Sequence, residues 1–92
     1  MAEPPAQPWT VIITPRAEKD LRRVGADHAE RAEAALDAMA ANPRQGDIRK
    51  LTGVDDEWRR RVGDWRIRFT IDDAARAVVV LRVLPRGAAY ER

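Results

Sequence analysis

Residues Glu57–Ile71 read EWRRRVGDWRIRFTI. Two runs of alternating apolar and basic residues flank Gly63-Asp64, the pattern of a β-hairpin closed by a two-residue turn in which glycine supplies a positive φ. Such a turn sets a register. Val62 falls opposite Trp65, Arg61 opposite Arg66, Arg60 opposite Ile67, Arg59 opposite Arg68 and Trp58 opposite Phe69, and opposed residues project to the same side. One face then carries Trp58, Val62, Trp65, Ile67 and Phe69, a set suited to a core, with Arg60 as its awkward member. The other carries Arg59, Arg61, Arg66 and Arg68. Like charges opposed across strands destabilise a sheet by up to roughly 1 kcal/mol per pair, so two stacked Arg–Arg pairs call for an anion to offset them. Guanidinium forks match phosphate oxygens and stay charged at any working pH, so the set is suited to holding a phosphodiester. Burying four unpaired guanidiniums would be prohibitive, so this face is expected on the open side of the sheet.

Composition narrows the alternatives. Ninety-two residues make one small domain with a single modest core. Without cysteine, disulfides, thiol catalysis and Cys-ligated zinc are excluded, and a reducing cytoplasm is the natural compartment. A lone histidine argues against a His-based metal site. No apolar run approaches the ~18–20 residues of a membrane span, and MAEPPAQP lacks the basic-then-apolar build of a signal peptide. The net charge is +2, but residues 1–47 hold 6 Lys/Arg against 8 Asp/Glu while residues 48–92 hold 11 against 7. Basic character is concentrated in the strand-rich half, pointing to nucleic acid or an acidic protein partner.

Met1–Pro8, with three prolines, reads as a flexible lead-in, and residues 9–92 as the folded domain. Trp9–Thr14 reads as a first strand. Thr14-Pro15 has the form of an N-cap followed by proline at the first helical position, opening a helix to about Val24 with Ala17, Leu21 and Val24 inward. Gly25 stops it. Asp27 and Glu30 have capping-box spacing at the start of a second helix whose Ala32, Ala35, Leu36 and Met39 form the buried stripe. Its end is Asn42-Pro43. His28, in the first turn, reads as solvent-facing. Ile48–Leu51 is a short strand whose Lys50 joins the basic face, with turns at Thr52-Gly53 and Asp55-Asp56. Arg76–Leu84 is a strand with Ala77, Val79, Leu81 and Val83 on one side and Val78, Val80, Arg82 and Leu84 on the other, apolar enough on both to be central. The expectation is an α+β fold in the order β-α-α-β-β-β-β, an αα-hairpin packed on one face of a small, twisted, mostly antiparallel sheet. Trp58 and Trp65 are packing residues by register, and Trp9 lies at the margin.

In this order and spacing, Lys50-Leu51-Thr52-Gly53, the run Trp58–Ile67, and Arg86 followed four residues later by Tyr90 resemble toxins of the RelE/ParE superfamily from bacterial type II toxin–antitoxin systems. The resemblance covers nearly the whole chain from Trp9. It implies a ribosome-dependent endoribonuclease that cleaves messenger in the A site without metal or cofactor, the ribose 2′-OH attacking the adjacent phosphate. That chemistry asks for a base at the 2′-OH, cationic stabilisation of the phosphorane and an acid at the leaving oxygen. By motif position Arg59 and Arg61 match the basic pair of the first hairpin strand, Arg66 the arginine after the turn, and Arg86 and Tyr90 the C-terminal basic–tyrosine pair. Lys50 and Arg68 would contact RNA. The best-known pattern has lysines at the first pair, and arginine cannot give up its proton, so the base is unassigned. Arg59 and Arg61 would be electrostatic stabilisers and Arg66 a phosphate clamp. Arg86 would be a clamp or a poor proton donor, and Tyr90 a stacking or proton-transfer group.

The resemblance also implies a cognate antitoxin whose acidic segment complements the arginines, with ribosome and mRNA as the target and DNA contacted only through the antitoxin. The same fold would serve a ParE-like toxin that inhibits DNA gyrase by binding it, with no chemistry of its own. Gyrase-directed members generally lack the full basic and tyrosine set.

Overall fold

The computed structural model describes residues 8–51 and 56–85. The chain runs β1 (Thr10–Ile13), α1 (Pro15–Arg23), α2 (Ala26–Ala41), β2 (Ile48–Lys50), β3 (Glu57–Val62), β4 (Trp65–Asp72) and β5 (Ala77–Pro85). One sheet has the order β1-β5-β4-β3-β2, with β1 parallel to β5 and every other neighbour antiparallel. The helices pack on one face, as the residue pattern predicts. The lead-in Met1–Gln7, the Thr52–Asp55 turns and the Arg86–Arg92 tail lie outside the described residues.

The central hairpin takes the expected register at all five opposed pairs from Trp58↔Phe69 to Val62↔Trp65. Gly63 has φ 59°, a left-handed value that glycine adopts without steric cost. Thr14 caps α1 by accepting from the Ala17 N–H at 3.2 Å, with Pro15 in the first turn. The start of α2 differs from expectation. Gly25, at φ 85°, is its N-cap, and the helix begins at Ala26 rather than Asp27.

Ala17, Val24, Ala35, Met39, Ile67, Phe69, Val78, Val80 and Val83 form the core. Strict alternation fails along β5 because a bulge interrupts its pairing with β4: Ile67 opposes Val83 and Phe69 opposes Val80. The extra residue on β5 brings Val80 and Val83, three apart, onto the same buried side. Trp58, Val62 and Trp65 are only half-buried, packing on the rim of that core. His28 is not solvent-facing: it is half-buried with its ring 6.0 Å from that of Trp65 and tilted against it by 51°. Trp9 packs against the core and carries the Arg76 guanidinium 4.8 Å above its ring.

Arg60 also finds a physical solution. It projects to the helix side but reaches out to the loop after α2, where its Nη1 donates to the Gln45 carbonyl. A Cβ on Gly46 would stand 2.6 Å from that Nη1, and Gly46 has φ 104°. Gly46→Ala is therefore expected to lower stability by roughly 1–3 kcal/mol through backbone strain and displacement of Arg60, measurable as a fall in the urea midpoint at unchanged m-value.

β1 covers only the first half of β5, pairing with Ala77–Val80. Along the second half α1 takes the place of a strand. Thr14 N–H donates to the Val80 carbonyl at 3.1 Å, Thr14 Oγ1 to the Leu81 carbonyl at 3.3 Å, and Asp20 Oδ2 accepts the Val83 N–H at 3.0 Å. The ladder groups of this edge are thus satisfied by the backbone and side chain of the N-cap Thr14 and by the Asp20 side chain.

Candidate functional site

The face opposite the helices carries arginines in two cross-strand rows. Arg49↔Arg59↔Arg68↔Arg82 runs over four strands, and Arg61↔Arg66↔Leu84 lies beside it. Arg59, Arg61, Arg66 and Arg68 share this face as their register requires. Lys50 does not join it: it pairs with Trp58, on the helix-side parity, and Arg49 takes the place opposite Arg59. The signal for Arg49 was one residue away, since a strand shifted by one residue exchanges its faces. Arg86 and Tyr90 lie outside the described residues.

Two carboxylates within the fold offset part of the charge for which the arginine pattern alone calls for an external anion. Glu57, buried at 5% exposure, approaches Arg68 Nη2 at 2.8 Å. Asp20 on α1 is buried equally and accepts from Arg82 Nε at 2.7 Å and Nη2 at 3.3 Å. Both acids were legible only weakly. Glu57 shares the parity of Arg59 and Arg61, and Asp20 sits three residues after Ala17, on the inward stripe of α1.

Burial pushes the Asp20 carboxyl up, but hydrogen bonds from Arg82 and the Val83 N–H, with the charges of Arg82 and Arg23, outweigh it and hold the group below its ordinary value of 3.8. A depressed carboxyl stabilises the fold fully above the unfolded value and loses that contribution as pH falls through the folded one. Asp20→Asn is expected to cost roughly 2–4 kcal/mol at neutral pH, somewhat less than a fully buried pair because Arg82 remains partly solvated. Urea unfolding from about pH 6 to pH 2 should show this gap closing toward acid; a constant gap would mean that Asp20 acts without its charge.

Arg66 departs from the expectation of an outward-facing clamp. It is buried at 4% exposure, and its Nε and Nη1 have no hydrogen-bond partner among the described residues. Arg61, directly opposite, is exposed. A buried cation with unused donors is costly to a fold, and Arg66 bears that cost beside an exposed arginine. Among the described residues no three His, Asp or Glu side chains gather to hold a metal ion, and no helix is long and apolar enough to cross a membrane.

Residues 11–90 match the family model of the ParE toxin of the type II toxin–antitoxin system parDE. The chain belongs to this toxin family, within the RelE/ParE superfamily. It is a toxin of a type II toxin–antitoxin system with a RelE-like fold. A Methanocaldococcus jannaschii sequence carrying the name toxin RelE1 is 24% identical over 86 residues, 90% of this chain and 96% of the relative. Among solved structures, the Mycobacterium tuberculosis toxin–antitoxin complex RelBE2 aligns with TM-score 0.77 at 26% identity, over 86% of this chain and 99% of that one. The Pyrococcus horikoshii RelE–RelB complex aligns with TM-score 0.74 at 26% identity, over 86% and 96% respectively.

Proposed function

We propose that the arginine face holds an RNA phosphodiester and that this toxin is a metal-independent endoribonuclease acting on messenger in the ribosomal A site. The observation that carries the reading is Arg66, buried with two donors unpartnered among the described residues and opposed by the exposed Arg61. Such donors, held in a water-poor site, suit a phosphorane whose charge grows in the transition state. Arg66 clamps the phosphate and Arg61 and Arg59 stabilise it. Arg68 positions the backbone, and Arg86 and Tyr90 serve the leaving side by their place in the family motif. Residues 9–92 act as one domain in the cytoplasm, where the ribosome is. A cognate antitoxin is the natural partner, supported by the likeness to chains solved as RelB–RelE complexes; DNA is contacted only through it.

The match to a ParE model favours a second reading, in which the same arginines dock an acidic surface of DNA gyrase. Incubation with programmed ribosomes, followed by primer extension to map messenger 5′ ends, separates the two when free mRNA and a gyrase supercoiling assay are run alongside. Cleavage confined to the A-site codon is expected. Intact messenger with inhibited supercoiling would replace the nuclease reading by the gyrase one.

A further inference from the structure

The two margins of the sheet differ in character. At one, β2 presents the exposed Arg49 and Lys50. At the other, β1 reads TVII and carries no charge, although edge strands are commonly blunted by lysine, proline or a bulge. Thr10 N–H donates to the Arg76 carbonyl and Thr14 N–H to the Val80 carbonyl. In a parallel pairing of that register the backbone groups of Thr10 and Ile12 turn toward β5, so those of Val11 and Ile13 turn to the open edge. Ile12 projects on the arginine side of the sheet and, at 47% exposure, is the one strongly exposed large hydrophobic residue among the described residues. On the helix side, Val11 and Ile13 form one wall of a groove of about 450 Å³, and Glu33, Leu36, Asp37 and Ala40 of α2 form the other. Its floor is apolar and its helix rim is acidic. Glu33 and Asp37 are exposed, stand four residues apart and form no ion pair among the described residues, and like charges at that spacing oppose the helix. The last turn of α2 holds no basic residue to balance them.

We propose that this edge takes an extended segment of a partner protein in which apolar residues alternate with lysine or arginine, added to the sheet as a strand beside β1. Its backbone pairs with the outward groups of Val11 and Ile13. Successive side chains of a strand point to opposite faces, so one set covers Ile12 while the other enters the groove. In the groove a long basic side chain lays its aliphatic stem along Val11, Ile13 and Leu36 and brings its charge to Glu33 and Asp37. A second copy of this chain is the poorer occupant, because its own β1 supplies no cation. Four paired residues suit a single docked segment and fall short of the six or so that sustain open-ended stacking. The site lies across the sheet from Arg49 and stands whether the arginine face holds RNA or protein.

The test is titration of the isotope-labelled full chain with two blocked peptides, VKVKVKV and VEVEVEV, read by backbone amide shifts and hydrogen exchange. Saturable binding of the lysine peptide is expected, with shifts confined to β1 and the facing side of α2 and with the Val11 and Ile13 amides newly protected. The glutamate peptide should leave β1 unmoved. The double variant Glu33→Lys, Asp37→Lys alters two exposed positions and leaves the core intact; it should bind the lysine peptide about tenfold more weakly and transfer the β1 shifts to the glutamate peptide. Absence of shifts at β1, or binding there that ignores the charge reversal, would overturn the proposal. Shifts at β1 that grow with protein concentration in the absence of peptide would overturn it as well, by making a second copy the occupant.

Discussion

On the nuclease reading, Arg66→Met is expected to cleave messenger about 10²–10³-fold more slowly than the wild type, while unfolding at an equal or higher temperature. The two effects have one cause. Nε and Nη1 of Arg66 are buried without a partner among the described residues, so the fold bears their desolvation and gains little in return. Methionine fills a similar volume beside the buried Leu84 and carries no charge to desolvate, so stability should not suffer. On the same reading, a bound phosphate loses its enclosed donors. Arg66→Lys is the sharper comparison, since it keeps a charge but not the planar fork, and it should recover only part of the rate. Thermal unfolding and ribosome-programmed cleavage on the same preparations check both halves. A methionine variant that unfolds at a clearly lower temperature would make Arg66 a structural cation.

Phe69→Ala is expected to destabilise the domain by about 3–5 kcal/mol, enough to leave much of a 92-residue chain unfolded. Phe69 is fully buried, opposed by Trp58 on β3 and Val80 on β5 beside the bulge. Its removal opens a cavity where three strands meet, and the bulge restricts how far they can close over it. Trp65→Ala, although it deletes a larger side chain, should cost less, because Trp65 is half-buried at the rim against His28. Equilibrium urea unfolding of the two variants gives the comparison. A larger loss for Trp65 would place the centre of the core at the hairpin end.

The hairpin was legible because a two-residue turn with a period-2 pattern leaves one register that keeps Ile67 and Phe69 inward. Its arginine face followed from the same parity. Lys50 was misplaced because β2 has only three residues and a strand that short carries too little alternation to set its own faces; its register comes from pairing with β3. The faces of β5 were misread past Val80 because a bulge leaves no composition signal in a run of Val and Leu. Asp20 and Glu57 illustrate a third limit. Each is an ordinary acid in sequence, and its burial depends on an arginine that tertiary structure brings from another element, Arg82 and Arg68 respectively. The burial of Arg66 likewise belongs to the assembled sheet.

The substitution of a helix for a strand beside the second half of β5 bears on the protein's solution behaviour. Leu81–Leu84, apolar except for Arg82, is a β-prone segment that can template growth of extended assemblies when its backbone is uncovered. Here the Val83 N–H is occupied by a single carboxylate, so the guard on that segment is itself a titrating group. Neutralising Asp20 in acid loosens α1 from the edge, and the same protonation removes charge repulsion's counterpart on a surface already rich in cations. Preparations held in acid with added salt, which screens that repulsion, are therefore where strand-to-strand aggregation of this toxin should begin, nucleated at β5 and not at the polar outer strand β2.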